Sequence, residues 1–482
     1  MDATETPDSG VTPAPDAAPA PGIRAHPPSV EAVLALVRAE AEVADPGISE
    51  PAALTEIARD VVDAERLRLL AGAAPLPVTE LADAVVARLS DLVDPALTIP
   101  PRVVNATGVV LHTNLGRAPW PRAARLAAVA AASAYGYLEL DEATGRRGAR
   151  FRAAEEHLVA LTGAGDALVV GNNAAALLLA VGLAGRRGGV AVSRGELVEI
   201  GGGVRIPEMI ARAGARLIEV GTTNRTRASD FEPPLAEGRA TVVLRVHPSN
   251  FAMDGFTEAP DAAEVAAIAH RHGALLIDDL GSGALLDTSA LGLAHEPTPR
   301  ERLEAGADVV LFSGDKLVGG PQAGLIVGRA DLVARMRRDP LARAVRPDKA
   351  ILAGVAATLA LYRAGRAISD IPVWRMLARD PEGLRERAEW IRAQLTGPGR
   401  QIVRVAMLES TVGGGSLPGQ VLPSYGLAVA AGSPARAAGR LRQGPDRVLA
   451  RVADDEMILD LRTVDPIDDG LIARRIAEIL PS

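Results

Sequence analysis

The stretch SGDKLVGGPQAG, residues 313–324, holds Lys316, and only two of the chain's 52 lysines and arginines are lysine. Arginine keeps its proton in proteins, whereas lysine in a suitable environment releases it and acts as a base, nucleophile or Schiff-base former. A chain of 482 residues that writes ordinary positive charge as arginine therefore marks Lys316 for work that needs a neutral amine. Gly314, Gly319 and Gly320 predict a turn that a ligand can approach closely. A basic residue in a glycine-rich hairpin is the plainer reading of these twelve residues by themselves.

Other stretches supply the rest of a cofactor site. IDDLGSG places Asp278 and Asp279 at the end of an apolar strand, where α/β sheets bind ligands. One of these carboxylates can pair with a pyridinium nitrogen, and Asp278, the first polar residue after the apolar run, is preferred. VVGNNAAALLLA predicts strand, turn and helix, with the N–H groups of Asn172, Asn173 and Ala174 facing a phosphate; an asparagine helix cap would read the same way. Ser313 can add a hydroxyl to that phosphate. RVHPSN offers His247, Ser249 and Asn250 beyond another strand, placed to touch a ring or its phenolic oxygen, although a lone histidine is also a common structural residue. Phosphate turn, pyridinium aspartate and Schiff-base lysine stand in the chain order of a pyridoxal 5'-phosphate site. The set is more specific than any member.

A second group of residues suits an anion. Arg117 lies on the glycine-flanked loop of GVVLHTNLGRAPW, and Arg343 and Arg346 precede a helix whose first turn is expected to contain Pro347. These arginines hold a small oxyanion or are solvated surface charges. ATGRRGAR adds Arg146, Arg147 and Arg150, a compact basic loop that meets a phosphate backbone or solvent.

The elements that must position these residues follow from periodicity. Residues 98–365 alternate β-rich runs (DALVVG, GVAVS, TVVLRVH, ALLIDD, ADVVLFSG, AGLIVG) with helical stretches, which predicts an α/β core with a mainly parallel sheet. Residues 30–97 carry apolar positions at helical spacing, such as Val30, Val33, Leu34 and Val37, and predict a small helical domain. Residues 366–482 read as a smaller α+β domain, and the Pro/Ala-rich residues 1–29 as a disordered tail.

Hydrophobic residues make up 48% of the chain and aromatics 2%, so the core must be aliphatic. A net charge of −8 gives no global footprint for nucleic acid, and the absence of cysteine excludes disulfides, Cys–zinc sites and thiol catalysis. No apolar run suits a bilayer and no signal peptide opens the chain, so a soluble cytoplasmic protein is expected.

VVNATGVVLHTNLGRAP, ATGRRGAR, VSRGELVEIGGGVRIPE, GTTNRT, FSGDKLVGGPQAG and RPDK, in this order, resemble the bacterial selenocysteine synthase family, the L-seryl-tRNA(Sec) selenium transferases. The likeness runs from about Pro28 to the C-terminus. It implies a fold-type-I pyridoxal-phosphate core with Lys316 as the Schiff-base lysine. Arg117, Arg343 and Arg346 would hold the selenium donor, selenophosphate, and Arg150 would lie at the active site or on the tRNA side. The implied reaction turns L-seryl-tRNA(Sec) into L-selenocysteinyl-tRNA(Sec) through a cofactor-bound aminoacrylyl intermediate. The implied assembly is a homodecamer, a pentamer of dimers, with Thr222, Thr223, Asp230 and Phe251 at contacts between dimers. The helical domain is the family's reader of the tRNA body; here it is acidic, and its tRNA-binding residues stay unassigned. A related pyridoxal-phosphate lyase or ammonia-lyase acting on a small free substrate is the alternative function.

Overall fold

The computed structural model describes residues 26–44, 51–94, 99–148, 150–201, 203–249, 251, 253 and 255–480. Residues 1–25 of the expected tail, and Asn250, lie outside the described residues.

The chain divides into two compact units, residues 1–102 and 103–482. The first contains the helices Val30–Ala44, Pro51–Leu70 and Val78–Val93. Val33, Leu34 and Val37 on the first helix, Leu54, Ala58, Val61 and Val62 on the second, and Leu81, Ala82 and Val85 on the third share one core. These spacings of three and four residues put each set on one helix face. Glu65 is buried beneath the connection between the last two helices, where it accepts from Arg68 Nε at 2.8 Å and from the Leu76 N–H at 3.0 Å.

The second unit opens with β1 (Val103–Ala106) and contains a seven-stranded sheet. Its strands are β2 (Asp166–Val170), β3 (Gly189–Ser193), β6 (Arg216–Val220), β7 (Val242–Val246), β8 (Leu275–Gly281), β9 (Val309–Ser313) and β10 (Gly324–Gly328), in spatial order β2-β10-β9-β8-β7-β3-β6. Only β10 runs against its neighbours, so the other six all point the same way. Helices cover both faces, and strands such as VVLRV and VVLFS are buried at every position, as a sheet with two covered faces requires. The run expected to be helical after GVAVS instead begins as the short hairpin β4 (Glu199–Gly201) and β5 (Val204–Arg205) before the helix Ile206–Arg212.

A five-stranded sheet follows, built from β11 (Val403–Gly413), β12 (Ser416–Val429), β13 (Arg447–Ala453) and β14 (Glu456–Asp460), with β1 as its edge. Val103 pairs with Arg447 in parallel. The first strand after the helical unit, within the segment expected to form the catalytic core, thus pairs with the C-terminal sheet, where Val104 and Ala106 bury against the aliphatic core of the helix Pro381–Gln394. Among the described residues no helix is long and apolar enough to cross a membrane.

Candidate active site

The carboxyl ends of β2, β7, β8 and β9 lie along one edge of the large sheet, the edge where such folds bind ligands. Lys316 sits three residues beyond β9 and is 7% exposed. Its turn is closed by the Gly314 N–H donating to the Ala323 carbonyl and the Gly320 N–H to the Gly314 carbonyl, both at 2.8 Å. The glycines serve packing rather than ligand approach. A Cβ at Gly319, where φ is +73°, would overlap Ile371, and one at Gly320 would stand 2.9 Å from Thr358 Oγ1.

Lys316 shares a cleft of about 550 Å3 with Arg117, Asn172, Asn173, Ala174, His247, Ser249, Asp279, Ser313, Asp315 and Gln322. Burial first, and then the Arg117 guanidinium, hold the Lys316 ammonium below the usual lysine range. Asp279 Oδ1 accepts from Asn173 Nδ2 at 2.8 Å and from the Gly281 N–H at 3.1 Å. Burial pushes this carboxyl up to about 6 against those donors and the charge of Lys316.

The preference for Asp278 is corrected by the strand itself. Successive side chains point to opposite faces, so Asp278 turns away into a separate cavity, where its Oδ2 stands 3.6 Å from Arg302 Nε. Asp279 is the carboxylate that shares the cleft with Lys316.

At the far side of the cleft, Asn172 caps the helix Asn173–Val181, its Oδ1 accepting from the Ala175 N–H at 2.9 Å. The cap and the anion cradle thus coexist: the side chain caps, and the first N–H groups of the helix stay available to an anion. Asn173 Oδ1 is buried without a partner among the described residues. The His247 N–H donates to the Asp279 carbonyl at 2.9 Å, and its ring Nε2 lies 3.4 Å from the buried carboxylate of Glu296.

Arg117 reaches the cleft from a left-handed backbone, φ 63°, after Gly116. A non-glycine residue held there costs of order 1–3 kcal/mol, a strain typical of positions kept for function. Its Nη1 donates to Asp315 Oδ2 at 2.8 Å, and the Ala118 N–H donates to the Asp315 carbonyl at 3.3 Å, so two bonds pin the arginine loop to the residue before Lys316.

The other arginines gather elsewhere. Glu139 accepts from Arg346 Nη1 at 2.8 Å, Arg150 Nη1 at 2.9 Å and Arg147 Nη2 at 2.9 Å. Arg150 Nη2 also donates to the Pro347 carbonyl at 2.6 Å. Arg343 is exposed on the helix Pro340–Ala344 and makes no ion pair among the described residues. Within one chain Arg343 and Arg346 are therefore not assembled with Arg117, although their segment is tied to the phosphate turn by the Gly171 N–H donating to the Val345 carbonyl at 2.7 Å. Pro347 lies outside the following helix, whose N-cap is Asp348, its Oδ1 accepting from the Ala350 and Ile351 N–H groups.

These residues fit pyridoxal phosphate. Helix N–H groups and Ser313 suit its phosphate, Asp279 suits a ring nitrogen, Lys316 suits its carbonyl carbon, and the orphaned Asn173 Oδ1 marks a polar position left for a ligand.

Residues 103–465 match the family model described as L-seryl-tRNA selenium transferase. The chain belongs to that family. It is 45% identical over 430 residues to the L-seryl-tRNA(Sec) selenium transferase of Moorella thermoacetica, covering 88% of this chain and 91% of the relative. The enzyme of the same name from Rhizobium meliloti is 44% identical over 434 residues, covering 89% and 92%. Among solved structures, a D-glucosaminate-6-phosphate ammonia-lyase superposes with a TM-score of 0.55 at 22% identity, covering 79% of this chain and 96% of that one. That likeness shows the fold, the fold-type-I architecture expected from the sequence.

Three members of the site escaped the sequence reading. Asp315 was in plain view beside Lys316, a carboxylate in an apolar and glycine-rich stretch. Glu296 carried no spacing cue, because its partner His247 comes from a distant segment, and Glu139, although close in sequence to Arg147 and Arg150, gave no sign of its bond to Arg346.

Proposed function

We propose that the chain converts L-seryl-tRNA(Sec) into L-selenocysteinyl-tRNA(Sec) with selenophosphate as donor, and that Lys316, Asp279 and the Arg117–Asp315 pair carry the reaction. The supporting observation is a buried lysine amine in one cleft with a buried aspartate and an arginine fixed by a neighbouring carboxylate, in a member of this family.

Asn172, Asn173, Ala174 and Ser313 would hold the cofactor's phosphate, Asp279 its ring nitrogen and Lys316 its carbonyl carbon. When bound, pyridoxal phosphate supplies an electron sink for the pair left at the seryl α-carbon. Once the seryl α-amine has displaced it from that carbon, Lys316 Nζ would be a free amine able to take the α-proton, a task for which burial has already weakened its hold on its own proton. Asp315 fixes one edge of the Arg117 guanidinium, and the remaining N–H groups receive the donor's oxyanion through charge-assisted bonds. Arg343 and Arg346, which one chain does not bring to Arg117, would complete that anion site only in the assembled oligomer, and Arg150 serves the active site or the tRNA side.

The helical unit, residues 30–97, reads the tRNA; residues 98–365 form the catalytic core and 366–482 the small domain, with β1 exchanged between them. Arg38, Arg66 and Arg68 are paired with Glu31, Asp63 and Glu65, so the exposed Arg59 and Arg88, unpaired among the described residues, are left to meet phosphate. The working form is a cytoplasmic homodecamer, a pentamer of dimers with Thr222, Thr223, Asp230 and Phe251 at contacts between dimers; light scattering on the eluting holoenzyme tests the count.

The reaction is tested by incubating holoenzyme with selenophosphate and either seryl-tRNA(Sec) or seryl-tRNA(Ser) and analysing the aminoacyl group. Selenocysteine on tRNA(Sec) is expected. Unchanged serine on both, with cofactor bound, would move the assignment to a lyase on a small free substrate.

A further inference from the structure

Behind the same sheet edge lies a second cavity, of about 350 Å3, that the proposed reaction leaves unused. Arg245 on β7 and Asp278 on β8 are direct neighbours in the parallel register and are both more than nine-tenths buried. Glu196 joins them from the turn after β3, and Arg302 from the helix Pro299–Glu304.

None of these four charges completes a hydrogen bond to another. Arg302 Nε stands 3.6 Å from Asp278 Oδ2, and Arg245 Nε stands 3.9 Å from Glu196 Oε1, both beyond hydrogen-bond reach. Arg245 Nη2 donates to the Pro260 carbonyl at 3.1 Å, and Glu196 Oε2 accepts from the Val246 N–H at 3.2 Å. Among the described residues, that leaves Arg245 Nε and Nη1 and Arg302 Nε as buried donors without acceptors, and Asp278 Oδ2 as a buried acceptor without a donor. Burying charges in this way is unfavourable unless something completes the bonds. Burial also pushes Glu196 up to about 7, which weakens the negative charge set against the two guanidiniums.

We propose that this cavity binds free phosphate, a tetrahedral oxyanion that still carries a proton. Its oxygens accept from Arg245 and Arg302, and its hydroxyl donates to Asp278. Three donors and one acceptor set the class. A fully deprotonated oxyanion such as sulfate or selenate would bring a lone pair against Asp278 Oδ2 and be refused, which is specificity through a repulsive contact. His247 lines both this cavity and the Lys316 cleft, so the bound anion sits one side chain from the reaction. Phosphate is what a selenophosphate donor leaves behind, and that part of the inference rests on the function proposed above; the binding itself does not.

Holoenzyme crystals soaked separately in arsenate, which is protonated like phosphate, and in selenate, which is not, test this by anomalous scattering. Arsenate density between Arg245 and Arg302 is expected, with selenate there at least tenfold weaker. Arg302→Gln is expected to remove the arsenate peak, and Asp278→Asn, which supplies a donor, to admit selenate. Water alone in the wild-type cavity under both soaks, or equal occupancy by the two anions, would overturn the proposal. Anomalous density at Arg117 is read separately: its presence with an empty second cavity sinks this inference and spares the proposed function, and the reverse pattern does the opposite.

Discussion

Arg117 Nη1 donates to Asp315 Oδ2 at 2.8 Å, and Asp315 immediately precedes Lys316. The contact joins residues 198 positions apart and makes one unit of the Arg117 loop and the Lys316 amine. It also sets the charge around Lys316, because Asp315 opposes the loss of its proton while Arg117 favours it.

Asp315→Asn keeps the shape and removes the charge. Hydrogen bonds to charged groups contribute about 1.5–3 kcal/mol, so kcat/KM for the selenium donor is expected to fall roughly 10- to 100-fold. Cofactor content, read by absorbance, is expected to stay near wild type. Loss of cofactor along with activity would assign Asp315 to cofactor binding instead.

Asp278→Asn and Asp279→Asn separate two adjacent carboxylates that face different cavities. The Asp279 variant is expected to lose cofactor affinity and at least about 100-fold in kcat, the range found when a positioned group is removed from an active site. The Asp278 variant is expected to retain the cofactor spectrum. Equal cofactor loss in both would contradict the assignment of the ring nitrogen to Asp279.

Glu139→Gln tests the clasp that gathers Arg147, Arg150 and Arg346. With the negative charge gone, the loop and the segment before Asp348 are expected to loosen, raising the donor KM several-fold with little change in melting temperature. An unchanged KM would make the clasp a surface feature.

The cofactor-free protein is expected to lose stability as pH rises from 5 to 8. Folding raises Asp279 to about 6 and Glu196 to about 7, so the folded state holds these protons more tightly than the unfolded chain. The stabilisation is complete below about pH 4 and is lost as pH passes 6 and then 7. At about 1.4 kcal/mol per pKa unit, Asp279 alone withdraws roughly 3 kcal/mol between about pH 4 and 6, about half of it above pH 5. His295, raised by its bond to Asp287, adds to the trend, and His157 and Lys316, both lowered by burial, act against it. Asp279→Asn should flatten the curve, and cofactor binding should do the same by giving Asp279 a positive partner. A melting temperature that climbs from pH 5 to 8 without cofactor would refute this.

The strands were legible because buried parallel strands are short aliphatic runs between turn residues, and VVLFS, GLIVG and VVLRV stand out as such. Lys316 was legible because its chemical type is rare here. What the sequence could not carry was direction. Asp278 and Asp279 differ only in the face of β8 they occupy, and polarity along the chain favoured the one that faces away from Lys316. Nor could local pattern reveal that β1 pairs with β13, 344 residues on, or that Arg346 answers to Glu139. Lys349, the other lysine, has a structural account: its Nζ donates at 2.5 Å to the carbonyl of Ala134, the C-cap of the helix Arg122–Ser133.

That scarcity makes the central claim directly measurable, since two lysines leave few amines to confuse. Holoenzyme is treated with borohydride, which fixes the cofactor to whichever amine holds it, then digested and analysed by mass spectrometry. The pyridoxyl group is expected on the peptide containing Lys316 and nowhere else. A label on Lys349, or a cofactor that washes free after reduction, would contradict the account.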